Sequence, residues 1–270
     1  MSSLKAPAKI NLALVVGPKR ADGKHEVATV LQRLDLADRV TLARGSTLEI
    51  TGFPEDTLVR DALLALANSA GVEPNWAVRI EKRIPVAAGL GGGSSDAAAA
   101  LRLANEDLSE PLPEDRLHEV AATIGADVPF FLTEGPQLGA GDGTDLSPID
   151  LPEDYFVIVL LLHGARKAST GDVYRAFDER HGAHGFEHRR AALWKSLNEI
   201  HKARDLAVLP PNDLSRSDIV DELMELGAFR ADVCGAGPAV YGLFVESAPR
   251  GKVRGAFAGR GRGWYAKPTR

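Results

Sequence analysis

Eleven residues, Pro85-Val86-Ala87-Ala88-Gly89-Leu90-Gly91-Gly92-Gly93-Ser94-Ser95, restrict the fold of this chain more than any other segment. Glycine fills four of the five positions from Gly89 to Gly93, so the backbone can turn tightly and approach a ligand without side-chain obstruction. Before it, residues 76–80 alternate polar and apolar, as a strand does. Directly after it, residues 96–104 are rich in alanine and leucine and predict a helix, with Ser94, Ser95 or Asp96 as its cap. The order strand, glycine loop, helix start leaves unpaired N–H groups and a partial positive charge at the loop. With two hydroxyls added, this predicts an anion cradle whose natural occupant is a polyphosphate. No Gly-Lys-Ser/Thr follows the glycines, so the loop is not a Walker A motif. Ser94 stands where a dinucleotide fingerprint needs its third glycine. A flexible linker is the plain alternative, but linkers seldom join a strand to a capped, alanine-rich helix.

The remaining strands and helices are interspersed without the strict alternation of a doubly wound parallel sheet, which predicts an α+β chain. Residues 8–16 read as a strand ending at the turn signals Gly17-Pro18 and Ala21-Asp22-Gly23. Residues 39–42 and 48–51 read as short strands around a turn at Gly45, and 61–70 and 113–124 as helices. Two prolines and three acids at 148–154 mark a composition shift, predicting domains 1–152 and 153–270. The second half adds strands at 156–162 and 239–245 and helices at 171–179, 191–203 and 217–226. His181, His184 and His188 fall in or beside a polar stretch at 182–188 that reads as an exposed loop. Their spacing allows a metal site, but no cysteine or carboxylate pattern supports one. The segment Gly259 to Tyr265 is faintly like an arginine-glycine RNA-binding repeat and is better read as a turn before a last strand.

Composition narrows the function. The net charge of −5, from 32 basic and 37 acidic side chains, argues against a duplex nucleic-acid partner, which needs a basic face. Cys234 is the only cysteine, so no internal disulfide can form and a reducing compartment fits. The first residues lack the apolar core of a signal peptide. The apolar run at 156–162 is far short of the ~18–20 residues that a membrane helix needs. A cytoplasmic protein without a membrane or nucleic-acid partner is expected.

The stretch Ile84 to Ala97, IPVAAGLGGGSSDA, resembles the second signature motif of the GHMP kinases, a Pro-x-x-x-Gly-Leu-Gly-Ser/Gly-x-Ser-Ser pattern that forms their phosphate-binding loop. Gly235-Ala236-Gly237-Pro238, followed by Ala239-Val240-Tyr241, resembles their third motif, a glycine turn beside the nucleotide. Three segments are similar to the diphosphocytidyl-methylerythritol kinase family within that group. They are Ala6 to Leu12 (APAKINL), Arg20 to Glu26 (RADGKHE) and Gly125 to Phe131 (GADVPFF). Ser169-Thr170, Tyr174 and Asn212-Asp213-Leu214 also fall where that family has similar residues, so the likeness runs through the chain in order. The resemblance implies a two-lobed fold. An N-terminal ATP-binding lobe of the ribosomal-protein-S5-domain-2-like kind would precede a C-terminal ferredoxin-like substrate lobe, with the active site in the cleft between them. It also implies phosphorylation, with ATP and Mg²⁺, of the 2-hydroxyl of 4-diphosphocytidyl-2-C-methyl-D-erythritol, in the non-mevalonate route to isoprenoid precursors.

On that resemblance Asp127 is the candidate general base, taking the hydroxyl proton; alone it reads equally as a helix-end or turn residue. Lys9, on an apolar strand, would stabilise charge beside it; alone it reads as a snorkelling surface lysine. Asn11 shares the strand face of Lys9 and would orient it or bind substrate. His25 resembles the residue that reads the cytosine edge, and Tyr174 the aromatic that stacks on the base; a solvent-exposed histidine and a core tyrosine are the plain alternatives. Two positions depart from the family pattern: Lys24 stands where a tyrosine usually stacks on the other face of the base, and Cys234 where a serine is usual. The competing readings are another GHMP kinase, acting on homoserine, mevalonate or a sugar, and a non-catalytic ligand sensor of the same fold. Oligomeric state and metal ligands are left open.

Overall fold

The computed structural model describes residues 1–55, 57–165, 169–245 and 250–270. Its first strands are β1 (Ser2–Lys19), β2 (His25–Arg44), β3 (Glu49–Thr51), β4 (Trp76–Glu81), β5 (Gln137–Ala140) and β6 (Asp145–Pro148). Later strands are β7 (Phe156–Leu162), β8 (Arg230–Val233), β9 (Val240–Phe244), β10 (Gly261–Ala266) and β11 (Pro268–Thr269). The helices are α1 (Thr57–Ala70), α2 (Gly92–Asp107), α3 (Glu114–Ile124) and α4 (Val128–Leu132), then α5 (Thr170–Glu179), α6 (Phe186–Leu197), α7 (Ile219–Glu225) and α8 (Arg250–Ala256). A 3₁₀ turn covers Ala203–Val208.

The described residues form two compact units, neither of them continuous in sequence. The first comprises Met1–Ala8, Leu36–Val86 and Gly91–Glu134; the second comprises Lys9–Asp35, Ala87–Leu90 and Gly135–Arg270. The composition shift at 148–154 lies inside the second unit, because the 18-residue β1 and the 20-residue β2 each run through both. The first half of β2 escapes a reading by alternation for a physical reason. Residues 27–34 are all buried, Thr29, Gln32 and Arg33 among them, so no two-residue period is written there.

In the first unit the far half of β2 pairs antiparallel with β4, and β3 runs parallel to β4 on its other side. Helix α1 buries Val59, Ala62, Leu63, Leu66 and Ala67, an i, i+3, i+4, i+7, i+8 stripe, and packs against α2 and α3. Ala97 to Ala100 are buried all round α2, where only small side chains permit close helix packing. The left-handed Gly91 (φ 70°, ψ 15°) starts α2 at Gly92 without a side-chain cap. Ser94, Ser95 and Asp96 therefore lie inside the helix rather than ahead of it, which corrects the expected cap. Asp96 and Asp38 are wholly buried and share the ammonium of Lys82, at 2.6 and 2.5 Å. Asp38 also accepts the amides of Arg83 and Ile84, so the end of β4, the far half of β2 and the start of α2 are tied together. Burial alone would push the lysine down, but the charges of Asp96 and Asp38 outweigh it and hold it above its ordinary value.

The second unit contains a four-stranded antiparallel sheet in the order β10-β7-β9-β8. Counted along the chain, this is fourth, first, third, second, with helices in the first and last connections: the ferredoxin-like arrangement. Ile158, Leu160, Val240 and Phe244 meet Ile219 and Leu223 of α7, Val253 of α8 and Phe257 beyond it. Val157 and Val159 are buried as well, which is why β7 is apolar without alternation. Elsewhere in the unit, β5 and β11 each pair with the first half of β2.

Two stretches differ from the sequence reading. The segment at 182–188 is not a loop throughout, since α6 begins at Phe186, whose buried ring lies against the bare backbone of Gly17, and it ends at Leu197. The arginine-glycine segment is itself mostly strand β10, with Gly261 so close to Leu161 that a β-carbon would stand 2.5 Å from its carbonyl oxygen. No helix among the described residues is long and apolar enough to cross a membrane.

Lys82→Met is expected to destabilise the protein by about 3–5 kcal/mol, because it removes the cation from between two buried carboxylates. Urea denaturation would measure this, and a loss under 1 kcal/mol would show that the pair is neutralised by other means.

Candidate active site

Lys9 and Asn11 project from the same face of β1, and both are buried. Lys9 Nζ donates to Asn11 Oδ1 at 2.7 Å, Asn11 Nδ2 donates to Thr29 Oγ1 at 2.8 Å, and Thr29 Oγ1 donates to the Ala13 carbonyl at 2.7 Å. This relay fixes which end of the asparagine amide faces the lysine. With 4% of its surface exposed, Lys9 is not a snorkelling lysine.

The glycine loop takes three left-handed residues in alternation: Ala87 (φ 55°), Gly89 (φ 85°) and Gly91 (φ 70°). A β-carbon on Gly89 would stand 1.9 Å from the carbonyl oxygen of Cys234, so only glycine fits there. That carbonyl belongs to the second glycine turn, which joins the loop through Ala239 N to Ala88 O at 3.1 Å, while Lys9 N donates to Leu90 O at 2.9 Å. Gly235 (φ 54°) completes the junction. A β-carbon there would lie 3.2 Å from Gly89 O, 3.4 Å from Lys9 Nζ and 3.5 Å from Asn11 Oδ1. The ammonium of Lys9 thus sits where the two glycine turns of the second unit meet. Asn212 holds the turn from below, its Nδ2 donating to Gly235 O at 2.7 Å and Val233 O at 3.1 Å. Cys234 is fully buried, and burial pushes its thiol well up.

Beyond Gly91 the loop enters α2 in the first unit. The amides of Gly92, Gly93 and Ser94 precede the first intrahelical donor, since Ser95 N is the first to bond back, to Gly91 O at 2.9 Å. Ser95 Oγ is buried and has no hydrogen-bond partner among the described residues. A buried hydroxyl without a partner normally costs free energy, so an anion at this helix start would satisfy it. Asp127 also belongs to the first unit, at the N-cap of α4, where its side chain caps nothing. That short helix packs on α2 and α3.

A second cluster forms around His25. Its ring is buried, lies 4.7 Å from the Tyr174 ring at a 30° tilt, and meets the Phe177 ring edge-on. Because an ionised carboxylate only accepts, Nε2 is the donor to Asp178 Oδ1 at 2.8 Å, and in the neutral ring Nδ1 is then the acceptor nitrogen. Helix α5 supplies all three partners, and Ser169 caps its start by accepting from Asp172 N at 3.0 Å. Asp178 has no place in the sequence reading, although its position four residues after Tyr174 puts both on one helix face. Lys24 is half exposed, and its ammonium pairs with Asp142 at 2.5 Å. Burial raises the Asp142 carboxyl, but hydrogen bonds from Lys24 and Thr144 outweigh it and hold the group down at about 2.

Residues 57–135 match the GHMP kinases N terminal domain. The 4-diphosphocytidyl-2-C-methyl-D-erythritol kinase of Anaeromyxobacter dehalogenans (strain 2CP-C) is 40% identical over 280 residues, covering 97% of this chain and 86% of that one. The protein of the same name from Geobacter sulfurreducens is 37% identical over 290 residues, covering 99% and 98%. The chain belongs to the 4-diphosphocytidyl-2-C-methyl-D-erythritol kinase family. A crystal structure of 4-(cytidine 5'-diphospho)-2C-methyl-D-erythritol kinase superposes over the whole of both chains with a TM-score of 0.78 at 28% identity. The mevalonate kinase of Methanococcus jannaschii, 13% identical with a TM-score of 0.76, shares the fold alone. The chain is therefore a small-molecule kinase with the GHMP kinase fold.

Gly89→Ala would force a methyl group into the Cys234 carbonyl and add ~1–3 kcal/mol of left-handed strain. Nucleotide affinity is expected to fall by about ten-fold or more, as a loss of ~1.4 kcal/mol already implies. Calorimetric titration with ADP measures it, and unchanged affinity would detach the loop from nucleotide binding.

Proposed function

We propose that this kinase transfers the γ-phosphoryl group of ATP to the 2-hydroxyl of 4-diphosphocytidyl-2-C-methyl-D-erythritol, in the cytoplasm, as a step towards isoprenoid precursors. The observation that carries the phosphoryl-transfer part is the buried hydroxyl of Ser95, without a partner among the described residues, at the glycine-capped start of α2. The loop from Pro85 to Ser95 would hold the nucleotide phosphates on its backbone amides. ATP, entering with Mg²⁺ on its phosphates, supplies the phosphoryl group and the charge neutralisation that such transfer relies on. No group of three or more metal-capable side chains occurs among the described residues, so the cation would rest largely on phosphate and water.

Asp127 accepts the proton of the attacking hydroxyl as that oxygen bonds to phosphorus and the bond to the ADP oxygen breaks. Lys9, with its position set by Asn11 and the two glycine turns, stabilises the negative charge that grows on oxygen. His25 reads the cytosine. Because Asp178 holds Nε2, the acceptor Nδ1 suits the amino group of cytosine and would repel the carbonyl that uracil has at that position. Tyr174 stacks on the base. Lys24 supplies no second stack, and its engagement with Asp142 keeps its charge at home. The functional boundary near 152–153 belongs to the same proposal: the glycine loop and Asp127 lie before it and the ferredoxin-like sheet lies after it.

ADP release from purified protein with ATP and Mg²⁺ tests the substrate, with the cytidylyl alcohol, homoserine and mevalonate offered in parallel. Turnover with the cytidylyl alcohol alone is expected, and turnover only with another alcohol would overturn the assignment while keeping the kinase. Asp127→Asn should lower turnover by about 10²-fold or more, the scale of lost proton transfer, while ATP affinity stays unchanged. Full activity in that variant would remove Asp127 from the role of base.

A further inference from the structure

A cavity of about 680 Å³ opens in the second unit, lined by Arg180, Arg189 and Arg216 with Asp213, Phe177 and Leu214, and by Asn212, which also holds the Gly235 turn. Its size falls within the ~300–1,000 Å³ range of small-molecule sites. Three guanidiniums face one carboxylate, and that carboxylate is already taken. Asp213 Oδ2 accepts from Arg189 Nε at 3.0 Å and from Val16 N at 2.9 Å. Arg189 is largely spent as well, with four of its five N–H donors engaged: besides Nε, Nη1 donates to the His184 carbonyl and Nη2 to those of Val16 and Gly182.

The other two arginines keep donors in reserve. Among the described residues Arg180 bonds through Nη2 alone, to the carbonyls of Asp213 and Leu214, and its guanidinium lies over the Phe177 ring at 5.3 Å. Arg216 is exposed and makes no hydrogen bond or ion pair among the described residues. The cavity wall therefore carries two uncompensated positive charges beside an apolar surface of Phe177 and Leu214. A planar guanidinium with free N–H groups matches the oxygens of a phosphate, and two of them match a dianion.

We infer that this cavity is a second anion site, one that binds a small organic phosphate or diphosphate through Arg180 and Arg216, with its organic part against Phe177 and Leu214. It is separate from the glycine loop in residues and in chemistry, because its donors are side chains rather than backbone amides. The site has a line to the His25 cluster, since Phe177 lies edge-on to that ring and Arg180 caps the C-terminus of α5, the helix that carries Tyr174 and Asp178.

The test is calorimetric titration of the full chain with pyrophosphate and with phenyl phosphate, with ADP at saturation so that the glycine loop is filled. One further equivalent of each is expected to bind, and Arg216→Gln should weaken both by about ten-fold or more, as loss of a charged hydrogen-bond partner does. Arg216 is exposed and makes no hydrogen bond or ion pair among the described residues, so this variant is expected to keep its fold; Arg180→Gln should act alike, with thermal unfolding checking the integrity of both. The inference fails if wild-type protein binds neither probe under ADP saturation, or if Arg216→Gln binds them as wild type does. Because pyrophosphate can also be titrated without ADP, a loss confined to the arginine variants would stand even if the glycine loop proved not to hold nucleotide.

Discussion

The contact on which the site depends involves no side chain. The Cys234 carbonyl stands where a β-carbon of Gly89 would be, and this brings two glycine turns, distant in sequence, into backbone contact. Everything else at the junction is placed by reference to it. Ala88 and Ala239 share a hydrogen bond, Leu90 ties down the strand that carries Lys9, and Gly235 leaves just enough space for the ammonium. Interiors packed this closely transmit small displacements rather than absorb them. Asn212, one buried amide holding two carbonyls of the turn, extends the same logic one layer outward.

Much of this architecture is legible from residue order because local chemistry and global fold agree. The strand, glycine loop and alanine-rich helix follow one another as composition predicts, and the apolar run at 156–162 is the strand with both faces covered. Alternation fails where burial is two-sided, as in the first half of β2, and composition fails where one residue outweighs its neighbours. Phe186 shows the second case: a single buried ring turns the edge of a polar, histidine-bearing stretch into the start of a helix. The helix cap fails for a related reason, since serines can cap a helix only if the backbone has not already entered it, and left-handed Gly91 brings it in early. Each of the two compact units is assembled from three separate segments, an interleaving that residue order does not announce.

At the candidate site the sequence names the residues with unusual chemistry and misses those that orient them. Lys9, Asn11, His25 and Tyr174 stand out because a charge on an apolar strand or an aromatic in a motif asks for a reason. Thr29 and Asp178 do not stand out, since one threonine in a strand or one acid on a helix is ordinary. Their importance is positional: Thr29 sets the asparagine amide and Asp178 sets the histidine tautomer. Lys24 is a related case, where sequence registers the missing aromatic but only the structure supplies Asp142, which keeps the lysine charge occupied.

Cys234 is the only thiol in the chain, and it is fully buried in the turn whose carbonyl meets Gly89. Its high pKa and lack of exposure make it inert to alkylating reagents while that junction is closed. The rate at which such a reagent labels the native protein is therefore a clock for the opening of the junction, with no probe to be engineered in.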